Sequence, residues 1–268
     1  MIELIAGEAR ARIDAETGGR LAQLTVDGLD LLVERRESPT HWGCFPMAPW
    51  AGRIRHGRFS WEGVDYELPV NKPPHAIHGV TYDRPWDVTA STATTADLRI
   101  DLDERWPLGG FVTQSFVIAH DRLHLRMEVH AGDRTMPASC GWHPWWNRRL
   151  DRGDPVELDF EAGMMWVKDD EGIPSGALVA PTAGPWDDCF TDMVQTPELR
   201  WAGALEVEIE SHCTDWVIFT EPDHAICVEP QTGPPDALNL EPAHATPATD
   251  RSPGHPVIAE ATVNWRRI

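Results

Sequence analysis

The chain has 268 residues, with 23 Lys and Arg against 43 Asp and Glu, a formal net charge of −20, and five cysteines. That length suits one or two domains, taken here as one over residues 1–268, with a substantial core, and the charge argues against nucleic acid or an anionic membrane as partner because the summed field repels phosphates. Gly and Pro together make 44 residues, scattered rather than tandem, which calls for many turns, while 41% apolar residues and thirteen Trp exclude a disordered chain.

The opening MIELIAGEAR lacks a basic start and an apolar core, so no secretory leader is read there. Hairpin turns are expected where Asp27-Gly28 and Glu62-Gly63 separate apolar runs. Strand-like runs follow in order: LRIDLD, QSFVIA, then LHLRMEVH. In the last, Leu123, Leu125, Met127 and Val129 share one face and His124, Arg126, Glu128 and His130 the other. VELDF, LEVEIE (Leu205, Val207 and Ile209 against three glutamates), WVIFTE and AICVE continue the pattern. The segment from about Glu241 to Pro256 reads as a long loop before a final strand that alternates through Val257, Ala259, Ala261, Val263 and Trp265. No stretch holds a helical period for three turns, and no apolar run approaches the roughly 20 residues that cross a bilayer. The fold class expected is therefore antiparallel all-β, a large sandwich or a barrel. The five cysteines are dispersed with no CxxC, which fits a reducing, cytoplasmic compartment better than a disulfide framework.

Four segments place ionisable groups among aromatics, prolines and glycines, as a loop-built pocket would: PWAGRIRHGRF (Pro49–Phe59), HAIHGVTYDRPW (His75–Trp86), GWHPWWN (Gly141–Asn147) and VEPQTGPPDALN (Val228–Asn239). His143 is either a satisfied histidine beside a tryptophan cluster or a proton donor in an apolar-walled site. Glu229 ends an apolar run, where a carboxylate needs a polar partner or a ligand. Of Arg53, Arg55 and Arg58, one fork turned inward could bind hydroxyls. His75 and His78 have a metal-like spacing but no accompanying carboxylate, so no metal is expected. Cys140 and His143 lack a third, orienting group for nucleophilic catalysis. GxSxG, Walker-type and GxGxxG loops are all missing, so no nucleotide cofactor is expected either.

In order along the chain, these segments resemble the aldose 1-epimerase (galactose mutarotase) family in its shorter bacterial form. Arg53-Ile54 matches the arginine of the family's N-R-I motif, and His78-Gly79 the histidine of L-H-G-G with Ile77 and Val80 as departures. His143 matches the histidine of H-x-Y-F-N, with Trp145-Trp146-Asn147 in place of Tyr-Phe-Asn. Asp187 in WDDCF resembles the family's aspartate three residues before a Phe. Glu229 matches the glutamate before Q-x-x-P-D-A-x-N, although Gln231 to Asp236 carries one residue more. The resemblance implies a galactose mutarotase-like β-sandwich and anomeric ring opening of a sugar without metal or cofactor, in a monomer or homodimer.

It casts Glu229 as base and His143 as acid, with His78 assisting at the ring oxygen and Arg53 and Asp187 holding hydroxyls. Glu229 and His143 are then expected on opposite sides of a sugar-sized gap. A bell-shaped pH profile should fall in acid as Glu229 is protonated and in alkali as His143 loses its proton. Two alternatives share the fold: a hexose-6-phosphate 1-epimerase, which needs an arginine cluster drawn from Arg55, Arg58, Arg84, Arg148 and Arg149, and a sugar-binding protein without catalysis.

Overall fold

Asp27-Gly28 and Glu62-Gly63 both adopt the left-handed conformation at each residue (φ 53° and 74°, 50° and 78°), the mirror-image turn whose twist suits a two-residue hairpin. They join Arg20–Val26 to Leu29–Asp30 and Arg58–Trp61 to Val64–Glu67. The structure, a computed structural model, describes residues 1–240, 246–248 and 255–268. Most of the expected loop from Glu241 to Pro256 lies outside the described residues. Among those described, one 3-10 turn at Arg55–Gly57 is the sole helical element, and the strand pairings between named elements are antiparallel.

Alternation decides which side of each strand is buried. Leu123, Leu125, Met127 and Val129 are sealed in the core, while His124, Arg126, Glu128 and His130 stay half-buried on the other face. Arg126 there bonds Glu128 and Glu260. Leu205, Val207 and Ile209 face the core in the same way.

Two layers result. One runs through Thr95–Asp101, Phe111–Ile118, Arg122–His130, Val257–Arg267 and Leu205–Ser211, each paired to the next. The other runs through Cys44–Met47, Gly141–Pro144, Ala225–Gln231, Asp215–Phe219 and Asp187–Trp201. The fifteen-residue strand Asp187–Trp201 belongs to both: its first half pairs with Asp215–Phe219 and its last residues with Leu205–Ser211. Between the layers Trp142, Trp146 and Val228 meet Leu125, Ile209 and Val263.

Arg20 is a buried exception to the apolar pattern. Its guanidinium donates to the backbone carbonyls of Thr17 (2.8 Å), Pro39 (2.6 Å), Trp42 (3.1 Å) and Tyr82 (2.8 Å), and lies 4.1 Å from the Trp42 ring centre. Burial pulls its pKa down to about 10, so it remains a cation at neutral pH. All five cysteines are free and buried, and no described helix is long and apolar enough to cross a membrane.

Candidate functional site

The second layer makes the floor of the site by register alone. Gly141 pairs with Gln231, and Trp146 with Ile226, so the same register carries His143 opposite Glu229. On one flank Phe45 pairs with His143. On the other, Val217 pairs with Glu229 and Cys189 with Val217. One step along the strands, Phe219 pairs with both Cys227 and Asp187. Side chains two apart share a face, so His143, Glu229, Gln231, Val217, Phe219, Asp187 and Cys189 all look out of the sandwich into one cavity of about 210 Å³. The alternate residues Trp142, Trp146 and Val228 fill the core behind them. The pocket is thus loop-built only in part: its floor is strand. Close approach of two strands needs Gly141, where a Cβ would lie 2.3 Å from the Pro230 carbonyl oxygen.

Loops supply the rest of the lining. Arg53 and Ile54 pair with Ile77 and Ala76, and the His78 amide donates to the Gly52 carbonyl (2.9 Å). Asp236 clamps this unit: its amide donates to the Arg53 carbonyl (2.6 Å) and its carboxylate accepts from the Arg55 amide (2.9 Å). The P-D-A-x-N sequence after Glu229 therefore positions Arg53. His78 is itself left-handed (φ 62°), a conformation that costs a non-glycine residue about 1–3 kcal/mol and is found where a side chain must be aimed.

At Gly79 a Cβ would lie 2.0 Å from the Ala48 carbonyl oxygen, with φ at 74°. Gly79→Ala should therefore displace His78 and lower stability by about 1–3 kcal/mol, measurable as a lower melting temperature. An unchanged melting temperature would contradict this packing.

All five residues singled out by the sequence reach the cavity: Arg53, His78, His143, Asp187 and Glu229. The expected sugar-sized gap between two of them does not. His143 Nε2 lies 3.2 Å from Glu229 Oε1, because the register sets them side by side on neighbouring strands. The other carboxylate oxygen accepts from Gln231 Nε2 (3.2 Å). Burial holds the Glu229 carboxyl well above the usual range, aided by the nearby Asp187, while burial and the neighbouring His41 and Arg20 lower His143 to about 3. Over the intervening pH range the pair carries one proton, which burial leaves on Glu229.

The His143 ring is fixed by stacking on Phe45 (4.8 Å, 24°) and on Trp145 (5.2 Å, 13°), and His78 meets it edge-on at 5.2 Å. Burial, followed by His143, also holds His78 well below its ordinary value. His78 Nδ1, His143 Nδ1 and Gln231 Oε1 are buried with no hydrogen-bond partner among the described residues, and such atoms are rare unless a ligand or water meets them.

Donor atoms of His143, Cys227 and Glu229 lie within 4.8 Å of one another. The Cys227 thiol is pushed well above its ordinary pKa by burial and by Glu229, so it is protonated beside the pair. His75 is not part of the cavity. It accepts from the His56 amide (3.2 Å).

Phe45, Trp145 and Gln231 had no assigned place in the sequence reading. Gln231 shares the parity of Glu229 and was legible on that ground, whereas Phe45 is brought in only by strand pairing. Among the thirteen tryptophans, Trp145 is the one found lining the cavity among the described residues.

Fold and cavity together define a galactose mutarotase-like β-sandwich with a polar floor. The chain belongs to the aldose 1-epimerase family, whose sequence profile matches residues 1–257. It is 28% identical over 184 residues to an uncharacterised Escherichia coli K12 protein, YihR, covering 65% of this chain and 59% of that one. It is 26% identical over 187 residues to mouse galactose mutarotase, covering 67% and 50%. The match thus spans between half and three fifths of the length of these relatives. A galactose mutarotase-like protein from Clostridium acetobutylicum superposes with a TM-score of 0.85 at 17% identity over 99% of this chain and 95% of that one. Galactose 1-epimerase from Lactobacillus acidophilus gives 0.80 at 14% identity over 99% and 93%.

Proposed function

We propose that the protein is an aldose 1-epimerase that interconverts the anomers of a free sugar by acid–base ring opening. The observation that supports this best is the buried Glu229–His143 pair, 3.2 Å apart, beneath a cavity whose wall offers polar atoms unpartnered among the described residues. Before ring opening the pair's proton passes from Glu229, where burial favours it, to His143 across their 3.2 Å contact, which frees the carboxylate to act as base. Glu229 removes the proton of the anomeric hydroxyl while the C1–O5 bond breaks toward O5, and His143 protonates O5. Rotation about C1–C2 and the reverse transfers close the ring as the other anomer and return both groups to their starting state. Because the two side chains touch, the sugar lies over the pair rather than between its members. Arg53 and Asp187 hold ring hydroxyls, His78 assists at O5, and Trp145 and Phe219 supply apolar wall.

The test is anomer exchange followed by NMR on a panel of free aldoses, with the acceleration over buffer lost in Glu229→Gln. No acceleration on any aldose would overturn the reading. A hexose-6-phosphate enzyme built on an arginine cluster is not favoured. Arg55 is bound to Asp169 and Glu171, Arg58 to Glu67 and Arg84 to Asp103. Arg148 bonds the carbonyls of Thr220 and Pro222, and neither it nor Arg149 reaches the cavity.

The buried carboxyl also sets a stability cost. Its folded pKa is raised above the ordinary 4.5, so its stabilising contribution is complete below that value and is lost as pH rises through the folded pKa. Gln does not titrate. Glu229→Gln should therefore be more stable than the wild type by about 1–3 kcal/mol in alkali, with a smaller difference at pH 5. Urea unfolding at pH 5 and pH 9 checks this, and a gain that shrinks toward alkali would contradict it.

A further inference from the structure

Cys227 is wholly buried beside the proton-transfer pair, and the chemistry above makes no use of it. Strand geometry puts it there. Cys227 and Glu229 are two apart on Ala225–Gln231 and so share a face, and the register sets His143 opposite Glu229 on the neighbouring strand. A thiol, a carboxylate and an imidazole thus converge from two adjacent strands, with one donor atom of each inside a span of 4.8 Å. The spacing of these residues along the chain gives no sign of the set, because only strand pairing brings them together.

Nitrogen, sulfur and oxygen donors of these three kinds are those that hold zinc in proteins. An ion equidistant from three atoms no more than 4.8 Å apart sits at most about 2.8 Å from each, against bonds of about 2.0 Å to nitrogen and oxygen and about 2.3 Å to sulfur. One edge of the triangle is already short, 3.2 Å from His143 Nε2 to Glu229 Oε1. Side-chain shifts of less than about 1 Å therefore complete the geometry.

Two of the ligands are braced from outside. The His143 ring is stacked on Phe45 and Trp145, and the second oxygen of Glu229 accepts from Gln231 Nε2. Support of this kind is worth about 10–100-fold in metal affinity. His143 and Glu229 also line the cavity, which gives an ion its way in and leaves a fourth position facing the open side. A net charge of −20 draws cations toward the chain. Carboxylate and thiolate together match the two charges of the ion, as burial requires.

We propose that His143, Cys227 and Glu229 form a three-ligand site for a zinc-like, thiophilic divalent cation, and that its occupancy switches anomer exchange off. As the ion enters, the thiol proton of Cys227 and the proton held by the pair leave to solvent, and bonds to the metal replace them. The ion then occupies the carboxylate oxygen and the imidazole nitrogen that otherwise take and give protons. It is an inhibitor and not a cofactor. Binding stands on the geometry alone, while the inhibition rests on the reading of the pair as base and acid.

The test uses the full chain, dialysed against EDTA, with zinc and cadmium chlorides as probes. Calorimetry should find one zinc ion per chain, and no binding of magnesium, a hard cation that prefers oxygen. Zinc X-ray absorption should show one sulfur at about 2.3 Å among nitrogen and oxygen neighbours at about 2.0 Å. Cadmium should raise the ultraviolet band of a cadmium thiolate. Cys227→Ser and Cys227→Ala should abolish that band, and each, like His143→Asn, should weaken zinc binding at least about tenfold. Zinc should also suppress anomer exchange, and EDTA should restore it. No zinc binding, a zinc neighbourhood without sulfur, or an affinity unchanged in the Cys227 variants would overturn the site, and the first two outcomes need no variant to fold. Zinc held at this site with anomer exchange unaffected would overturn the inhibition. If no aldose is exchanged at all, the inhibition falls with the reading of the pair, and the binding measurements still decide the site.

Discussion

Glu229→Gln and His143→Asn should each lower kcat for anomer exchange by about 10²–10⁴-fold, the usual worth of a positioned base or acid. Gln keeps the shape of the side chain and can still meet Gln231, but cannot accept a proton. The two side chains lie 3.2 Å apart, and the proposed mechanism has them act on one step. The double variant should accordingly lose far less than the product of the single losses. Sugar binding should persist in both single variants through Arg53 and Asp187.

The wild-type pH profile should be bell-shaped, but with its limbs reassigned from the expectation drawn from the sequence. The active pair holds one proton. In acid, activity falls as a second proton reaches His143, whose pKa burial lowers to about 3. In alkali, it falls as the last proton leaves the pair, and burial, by raising Glu229, delays that loss. A fully active Glu229→Gln protein, or a profile whose acid limb lies at an ordinary histidine value, would sink this assignment.

Arg20→Met should be the most damaging substitution outside the cavity. It leaves the carbonyls of Thr17, Pro39, Trp42 and Tyr82 without their donor, the last two at fully buried bonds, a loss of about 3–5 kcal/mol. For a chain of this size the melting temperature should fall by roughly 10 °C. The effect should extend to the site. The guanidinium lies 5.4 Å from the Phe45 ring centre, and Phe45 stacks on His143. Its bonds to Pro39 and Trp42 also hold the loop that brings Thr40 and His41 to the cavity. Residual folded protein should therefore show reduced kcat as well. A stable, fully active Arg20→Met protein would mean that water replaces the guanidinium there.

Alternation at Leu123–Val129 and Leu205–Ile209, and the Asp-Gly and Glu-Gly turns, were enough to establish an antiparallel all-β chain, because period-two patterning and two-residue turns are local properties. The motif residues Arg53, His78, His143, Asp187 and Glu229 were legible for a different reason: each sits in an unusual run whose order along the chain resembles one family. Other features depended on which strands become neighbours. The GWHPWWN segment looked like a loop and is partly strand, since Gly141 lets it run close against Gln231. The contact between His143 and Glu229 follows from that pairing, and with it the inverted proton affinities, because burial is a property of the assembled sheet. Arg20 and Lys72 show the same limit from opposite sides. In sequence they are two ordinary cations, yet the fold seals one among four carbonyls and leaves the other exposed at the rim of the cavity. Sequence by itself determined the fold class and the family, and singled out the five residues that the fold brings to the cavity. Only the tertiary structure decided their separation, their charge and what lies beside them, because those depend on strand register and on exclusion of water.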